Sequence, residues 1–356
     1  MNQKWREILE EQSLDGILLT DPANMAYFAG FTGEGYVLFS KAHAYVVTDS
    51  RYTIATRQQC PEFEVITYGS GGYYQTLIDE MKEQSAKRLG FEDKIMTVEE
   101  YQKIEKQLEN FSVELIPLGA ALQKCRQIKS AAEIAKIKKA EAIGDLAFEQ
   151  ILKEIREGMT EKEVAARLEY HMKRAGADGL SFDTIAASGV HSAMPHAVPT
   201  DKKLCRGDFL TMDFGCLYQG YCSDMTRTVA VGEASEKQKQ VYHIVKAAQE
   251  KALSGIRPGM TGKEIDALAR NVIAEAGYGE YFGHALGHSV GREIHESPNF
   301  SPREDQIIQP GMVITVEPGI YIKDEFGVRI EDVVVITEDG CENITHSRKD
   351  LVVIEG

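Results

Sequence analysis

"IREGMTEKEVAARLEYHMKRAG", residues 155–176, returns as "IRPGMTGKEIDALARNVIAEAG" at residues 256–277. The copies align without a gap at an offset of 101, with Ile, Arg, Gly, Met, Thr, Lys, Glu, Ala, Ala and Gly identical and Val164 facing Ile265. Chance agreement falls far short of this. Two copies at so long a period are too few for a solenoid, so the pattern reports a domain built from two related halves. In each copy Thr160 or Thr261 reads as a helix N-cap, with Glu163 or Glu264 three residues on reaching back to close a capping box.

After its repeat helix each half offers a hairpin carrying two acids. In the first they are Asp213, inside the apolar run Phe209–Phe214, and Asp224, across a turn at Gln219-Gly220. A two-residue turn there makes Asp213 face Thr226 and lie diagonal to Asp224 on one side of the sheet. In the second half they are Glu317 in "ITVEPGIYI" and Glu331 in "GVRIEDVVVI". Strand parity lets these two share a face only if the loop between them is odd in length or bulged. Taken singly, each acid has a plain alternative: Asp224 pairs with Arg227, and Glu331 with Arg329.

Between the hairpins lies "FGHALGHSVGREIHESP", residues 282–298, with three histidines. Buried acids placed together raise one another's pKa, so the group needs positive charge. Two divalent cations neutralise four carboxylates, and an oxygen-rich set with one imidazole suits Mn²⁺, or Co²⁺, Fe²⁺ or Zn²⁺ according to supply. A two-metal centre activates water and polarises a carbonyl, so the expected reaction class is hydrolysis. The lone histidines His43, His171, His243 and His346 are expected at the surface or as satisfied core residues.

The whole chain narrows the partners. At 356 residues it calls for about two cores. A formal charge of −15 argues against nucleic acid, whose binding needs clustered Lys and Arg. No run approaches the length of a membrane helix, and Met1–Arg6 leads into a charged amphipathic segment, so no membrane partner and a cytoplasmic location are expected. The six cysteines form no C-x-x-C pair and read as reduced, small buried hydrophobes.

Residues 1 to about 115 alternate helix-period and strand-period segments, which predicts a small α/β unit. Helices are expected around Trp5–Leu9, Tyr74–Met81 and Val98–Leu108, and strands at Gly16–Leu19, Tyr36–Phe39, Ala44–Val47 and Val113–Ile116. A linker at Pro117-Leu118-Gly119 leads to the capping box Ser130–Glu133, which opens an amphipathic helix through Ile134, Ile137, Ala140 and Leu146. The fold class is therefore α/β with two domains, 1–125 and 126–356.

Asp213, Asp224, His288, Glu317 and Glu331, in "MDFG", "SDMTRT", "HALGHSVG", "VEPGIY" and "RIEDVV", resemble the metallopeptidase family that includes methionine aminopeptidase, aminopeptidase P and prolidase. The resemblance spans about residues 126–356 and implies the duplicated pita-bread fold. "DPANMAYFAGF" and "TDSRYTIAT" resemble the N-terminal domain of the creatinase and prolidase branch. Creatinase shares the fold without the metal ligands, whereas all five positions are filled here.

By that resemblance Asp213 chelates one metal, Asp224 and Glu331 bridge both, and His288 and Glu317 complete the shell of the second metal. Glu317 is also a proton shuttle. His196, His284 and His295 position substrate and stabilise the oxyanion. Tyr321 and Arg329 are further site members, Arg329 orienting Glu331 or holding a substrate carboxylate. The implied activity cleaves the bond between an N-terminal residue and proline, and a homodimer is implied as well. A prolidase restricted to Xaa-Pro dipeptides is favoured slightly over an aminopeptidase P acting on longer peptides. The reading from another class, a non-catalytic binding protein on the same fold, does not need this residue set.

Overall fold

The computed structural model describes residues 4–355. The chain divides into two compact units, Met1–Arg126 and Gln127–Gly356.

The first unit is built on a six-stranded mixed sheet in the order Glu64–Thr67, Ala44–Thr48, Gly35–Ser40, Gly16–Leu19, Arg88–Phe91, Glu114–Pro117. Both faces are buried. Ile17, Leu19, Val37, Phe39 and Val46 point into one core, and Leu18, Tyr36, Leu38, Tyr45 and Val47 into the other, as a period of two requires. The predicted helices and strands are all present. The reading missed the helices Pro22–Ala29 and Thr53–Gln59 and the strands Glu64–Thr67 and Arg88–Phe91, each eight residues or shorter. "DPANMAYFAGF" holds the first of these: the Asp21 carboxylate accepts the Asn24 N–H at 3.0 Å, Pro22 starts the helix, and Gly30 ends it at φ 74°. Beyond Pro117-Leu118-Gly119 the chain coils again, as the helix Ala121–Gln127.

In the second unit the duplication is visible in the backbone. Each half opens with a long helix, Ala131–Ile151 or Glu236–Gly255, followed by the repeat helix, Glu161–Arg174 or Gly262–Glu275. Both repeat helices carry the predicted capping box. Before them Gly158 and Gly259, at φ 86° and 90°, donate to Leu204 O and Ile308 O at the same 2.9 Å. Three antiparallel strands follow in matching order: Ile185–Ser188, Phe209–Phe214 and Met225–Val231 in the first half, Gly287–Ser289, Val313–Val316 and Asp332–Ile336 in the second. One prediction on the first long helix fails. Leu146 is 47 % exposed, because Ile143, Ala147 and Phe148 take the core-facing stripe.

The hairpins obey the parity argument. Gln219 and Gly220, at φ 49° and 75°, form the two-residue turn, and Asp213 pairs with Thr226. In the second hairpin the loop between Ile322 and Phe326 is the odd-length Lys323–Glu325, and the pair Val316↔Asp332 sets Glu317 opposite Glu331. The four acids do not all lie within strands. Only Asp213 does; Asp224, Glu317 and Glu331 each sit at a strand end, where the backbone turns from one sheet to another. There Glu317 N–H donates to Leu286 O at 2.8 Å and Glu331 N–H to Thr226 O at 3.1 Å. The second of these stitches one half to the other.

Arg227 completes that seam. It is 1 % exposed, and its guanidinium bonds Asp332 Oδ1 at 2.7 Å and the carbonyls of Thr226, Glu331, Ser347 and Arg348 at 2.5–3.1 Å. The alternative Asp224–Arg227 pair is not formed, because Asp332 takes the guanidinium. The cysteines are free, but Cys205 is exposed rather than a buried hydrophobe. Removing Arg227 takes the donor from Asp332 Oδ1 and from four carbonyls, leaving Asp332 with the Lys349 and Asn343 bonds to Oδ2. Arg227→Met should therefore cost about 3 kcal/mol or more, roughly 6 °C in melting temperature for a unit of this size. A scanning calorimetry shift below about 2 °C would contradict that role.

Candidate metal centre

Asp213, Asp224, His288, Glu317 and Glu331 line one cavity of about 510 Å³, together with His196, His284, His295 and Arg329. Ligand atoms of Asp224, His288 and Glu331 lie within 4.8 Å of one another. His288 Nε2 is 3.4 Å from Asp224 Oδ2 and 3.5 Å from Glu317 Oε1. Asp213 reaches the same cavity but gives Oδ2 to Arg329 Nη2 at 2.5 Å, while its Oδ1 is buried without a partner.

Local structure aims each group. Asp213 is carried inward by an apolar strand. Asp224 donates its backbone N–H at 2.8 Å to Glu141, a buried acid on the helix Ala131–Ile151. Thr226 Oγ1 donates to Glu331 Oε2 at 2.6 Å and accepts from Arg329 Nε at 3.0 Å. Thr315 Oγ1 donates at 3.1 Å to Glu317 and receives the His288 N–H at 3.0 Å.

The electrostatics are one-sided. Burial, then repulsion from Asp213 and Glu317, holds Asp224 well above the ordinary carboxylate range. Burial, then repulsion from Asp224, does the same to Glu331. Glu317 is raised chiefly by burial, against the pull of His288 and Arg329. Behind them burial pushes Glu141 up to about 8. Arg329 alone does not balance the set.

The residues fit divalent cations. His288 Nδ1 donates to Ser289 O at 3.2 Å, which leaves Nε2 as the ring atom facing Asp224 and Glu317. Nε2 is therefore placed to coordinate a cation held among those carboxylates. The orphaned Asp213 Oδ1 points to the same deficit.

Arg329 was expected to orient Glu331 or hold a substrate carboxylate. It contacts Asp213 and reaches Glu331 through Thr226. Its Nη1 donates at 2.7 Å to Tyr321 OH. His284 Nδ1 is 2.8 Å from Ala285 O and therefore protonated, so Nε2 accepts from Tyr321 OH at 3.0 Å. Burial, then the Arg329 charge, lowers His284 to about 4 and keeps it neutral. Both ring nitrogens of His284 are thus engaged by the protein. His196 and His295 differ: they line the cavity, and neither ring makes a hydrogen bond among the described residues.

The lone histidines lie elsewhere. His43 meets Glu80 and His171 meets Glu154. The sequence reading missed Glu141, Thr315, and the buried Glu161, which bonds His191. Only Glu161, as an acid in the first turn of a capped helix, left a local trace, and that position is ordinary for an acid.

Residues 135–338 match the family model described as metallopeptidase family M24, and residues 2–128 match that of the creatinase/prolidase N-terminal domain. An Xaa-Pro dipeptidase from Bacillus anthracis has a similar structure, with a TM-score of 0.94 and 45% identity, covering 99% of this chain and 98% of that one. An X-Pro aminopeptidase from Thermotoga maritima gives a TM-score of 0.92 at 40% identity, covering 99% and 100%. A relative named Xaa-Pro dipeptidase from Pyrococcus horikoshii is 41% identical over 99% of both chains. The chain belongs to metallopeptidase family M24, and is an enzyme that works with divalent metal ions.

Proposed function

We propose that the chain hydrolyses the peptide bond between an N-terminal residue and a following proline, with Xaa-Pro dipeptides as its preferred substrates. The observation that carries this reading is one cavity pairing the carboxylate and imidazole cluster with an apolar wall of Phe182, Ile294, Ala197, Val198 and Pro199. A prolyl ring has no amide N–H to satisfy and a fixed φ, so an apolar wall suits it. The names of the Bacillus anthracis and Pyrococcus horikoshii relatives favour the dipeptidase. That of the Thermotoga maritima relative keeps the aminopeptidase as the second reading.

In this reading Asp213, Asp224, His288, Glu317 and Glu331 hold two divalent ions, with Mn²⁺ the first choice for so oxygen-rich a set. Bound there, such ions lower the pKa of water and draw electron density from a carbonyl. Glu317 carries a proton to the leaving imino nitrogen. His196 and His295 donate to the carbonyl oxygen as negative charge develops on it. His284 lines the same cavity, with both ring nitrogens engaged by the protein. It fixes Tyr321, which with Arg329 holds Asp213 in place.

The family resemblance further supports a homodimer in the cytoplasm; among the described residues no helix is long and apolar enough to cross a membrane.

Ala-Pro and Ala-Pro-Ala with added Mn²⁺ test the activity. Release of alanine from the dipeptide alone is expected. Release from the tripeptide as well would replace the dipeptidase with the aminopeptidase, and cleavage of neither would sink both. Asp224→Asn should lower kcat by about a hundredfold or more through loss of a charge shared by the ions.

Metal binding should also be linked to pH. An acid whose folded pKa is raised stabilises the metal-free fold fully below its unfolded value, about 4, and that stability is lost as pH rises through the folded value. Asp224, Glu317 and Glu331 are such acids. The gain in melting temperature on adding Mn²⁺ should therefore grow between about pH 5 and pH 8, as cations replace protons. A gain that stays flat over that range would contradict the proposed ligands.

A further inference from the structure

The two repeat helices differ in what their buried acids hold. Glu161 opens the first and is 0 % exposed. Its Oε1 accepts from Ser188 N–H at 2.7 Å and Ser188 Oγ at 2.8 Å, and its Oε2 from Thr200 N–H at 3.0 Å and Thr200 Oγ1 at 2.6 Å. His191 Nδ1 lies 3.1 and 3.2 Å from the two oxygens. One carboxylate thus cinches both ends of the segment 189–199, which contains Pro195, His196, Ala197, Val198 and Pro199 of the cavity wall. Between these ends the segment is held by Gly327 N–H to Ser192 Oγ at 2.9 Å and Arg329 Nη1 to Pro195 O at 3.3 Å, with turns closed by Met194 N–H to His191 O and Ala197 N–H to Met194 O. His196 itself and Val198, 77 % exposed, stand free between the anchors.

The repeat scaffold does not require this acid. The second copy has Gly262 in its place, where a Cβ would come within 2.1 Å of Asn299 O. There the histidine-bearing segment is held one turn further along the helix. Asp266 Oδ1 accepts the Leu286 N–H at 3.0 Å, and Arg270 donates to Phe282 O at 2.9 Å and His284 O at 2.8 Å. Each half has placed a buried acid of its repeat helix under its own histidine segment. Taking a carboxylate fully out of water is unfavourable unless every lone pair is used, and Glu161 uses them on two chain positions twelve residues apart, Ser188 and Thr200.

We infer that Glu161 is a positioning residue for the hydrolytic reaction: by tying Ser188 to Thr200 it fixes the 189–199 segment so that His196 is held at the reacting carbonyl. This rests on the Xaa-Pro reading. Ordering the segment beforehand spares the reaction that entropy, and a displacement of about 1 Å is enough to cost a catalytic group most of its effect.

A double-mutant cycle on the Mn²⁺-loaded full chain tests the inference. Glu161→Gln should lower kcat/KM for Ala-Pro by about tenfold in the parent chain, but less than about twofold when His196→Ala is already present. Thr200→Val, at a half-buried position, should lower it by about threefold and show the same non-additivity. A Glu161→Gln protein with unchanged kcat/KM, or losses that multiply in full, would overturn it, since a purely structural role predicts independent losses. Hydrogen–deuterium exchange decides the matter without activity. Residues 189–199 should exchange about tenfold faster in Glu161→Gln while the helix Glu161–Arg174 stays protected, and unchanged exchange in the segment would refute the tie. If the parent cleaves no Xaa-Pro peptide the functional reading fails and exchange alone judges the tie; if Glu161→Gln does not fold, Thr200→Val replaces it in both arms.

Discussion

Four carboxylates share one largely buried cavity with a single guanidinium, and most of the second unit is arranged around that imbalance. Isolated carboxylates avoid such places by binding protons, and Asp224, Glu317 and Glu331 are pushed that way by burial and by one another. Apolar strands and sheet bends hold the acids at separations they would not choose. Divalent cations turn the repulsion into cohesion. The unpartnered Asp213 Oδ1 and His288 Nε2, set among the carboxylates, are the atoms placed to meet such cations.

Duplication explains how one chain assembles such a site. Each half supplies a capped helix pair and three antiparallel strands, and each hairpin supplies two acids. Neither hairpin alone holds enough ligands for two ions. The halves are joined where the acids lie, by the Glu331 N–H bond to Thr226 O and by Arg227 reaching across to Asp332. The polar chain from Arg329 through Tyr321 to His284 lies against the same seam. Packing and chemistry therefore share one set of contacts, and a substitution meant to probe either will disturb both.

What could be read from the sequence was what is local or periodic. The repeat, the capping boxes at Thr160 and Thr261, and the Gln219-Gly220 turn depend on residues within one turn or one hairpin of each other. The odd loop at Lys323–Glu325 followed from parity once both acids were assigned to one site. What escaped was decided by distant partners. Nothing near Arg227 announces that Asp332 rather than Asp224 will take its charge, or that Arg329 will turn to Asp213. Arg88–Phe91 is short and contains Gly90, so it carries little strand signal although it is an interior strand. The roles of Glu141 and Glu161 are set by what packs over them, Asp224 and the His196 segment.

The central claim is that the carboxylate cluster is balanced by two divalent ions. Anomalous diffraction from crystals of the Mn²⁺-loaded chain tests it most directly. Two peaks per chain are expected in the cavity, both within coordination distance of Asp224 and Glu331, with Asp213 on one side and His288 and Glu317 on the other. An empty cavity at saturating Mn²⁺, or peaks that avoid these five residues, would contradict it.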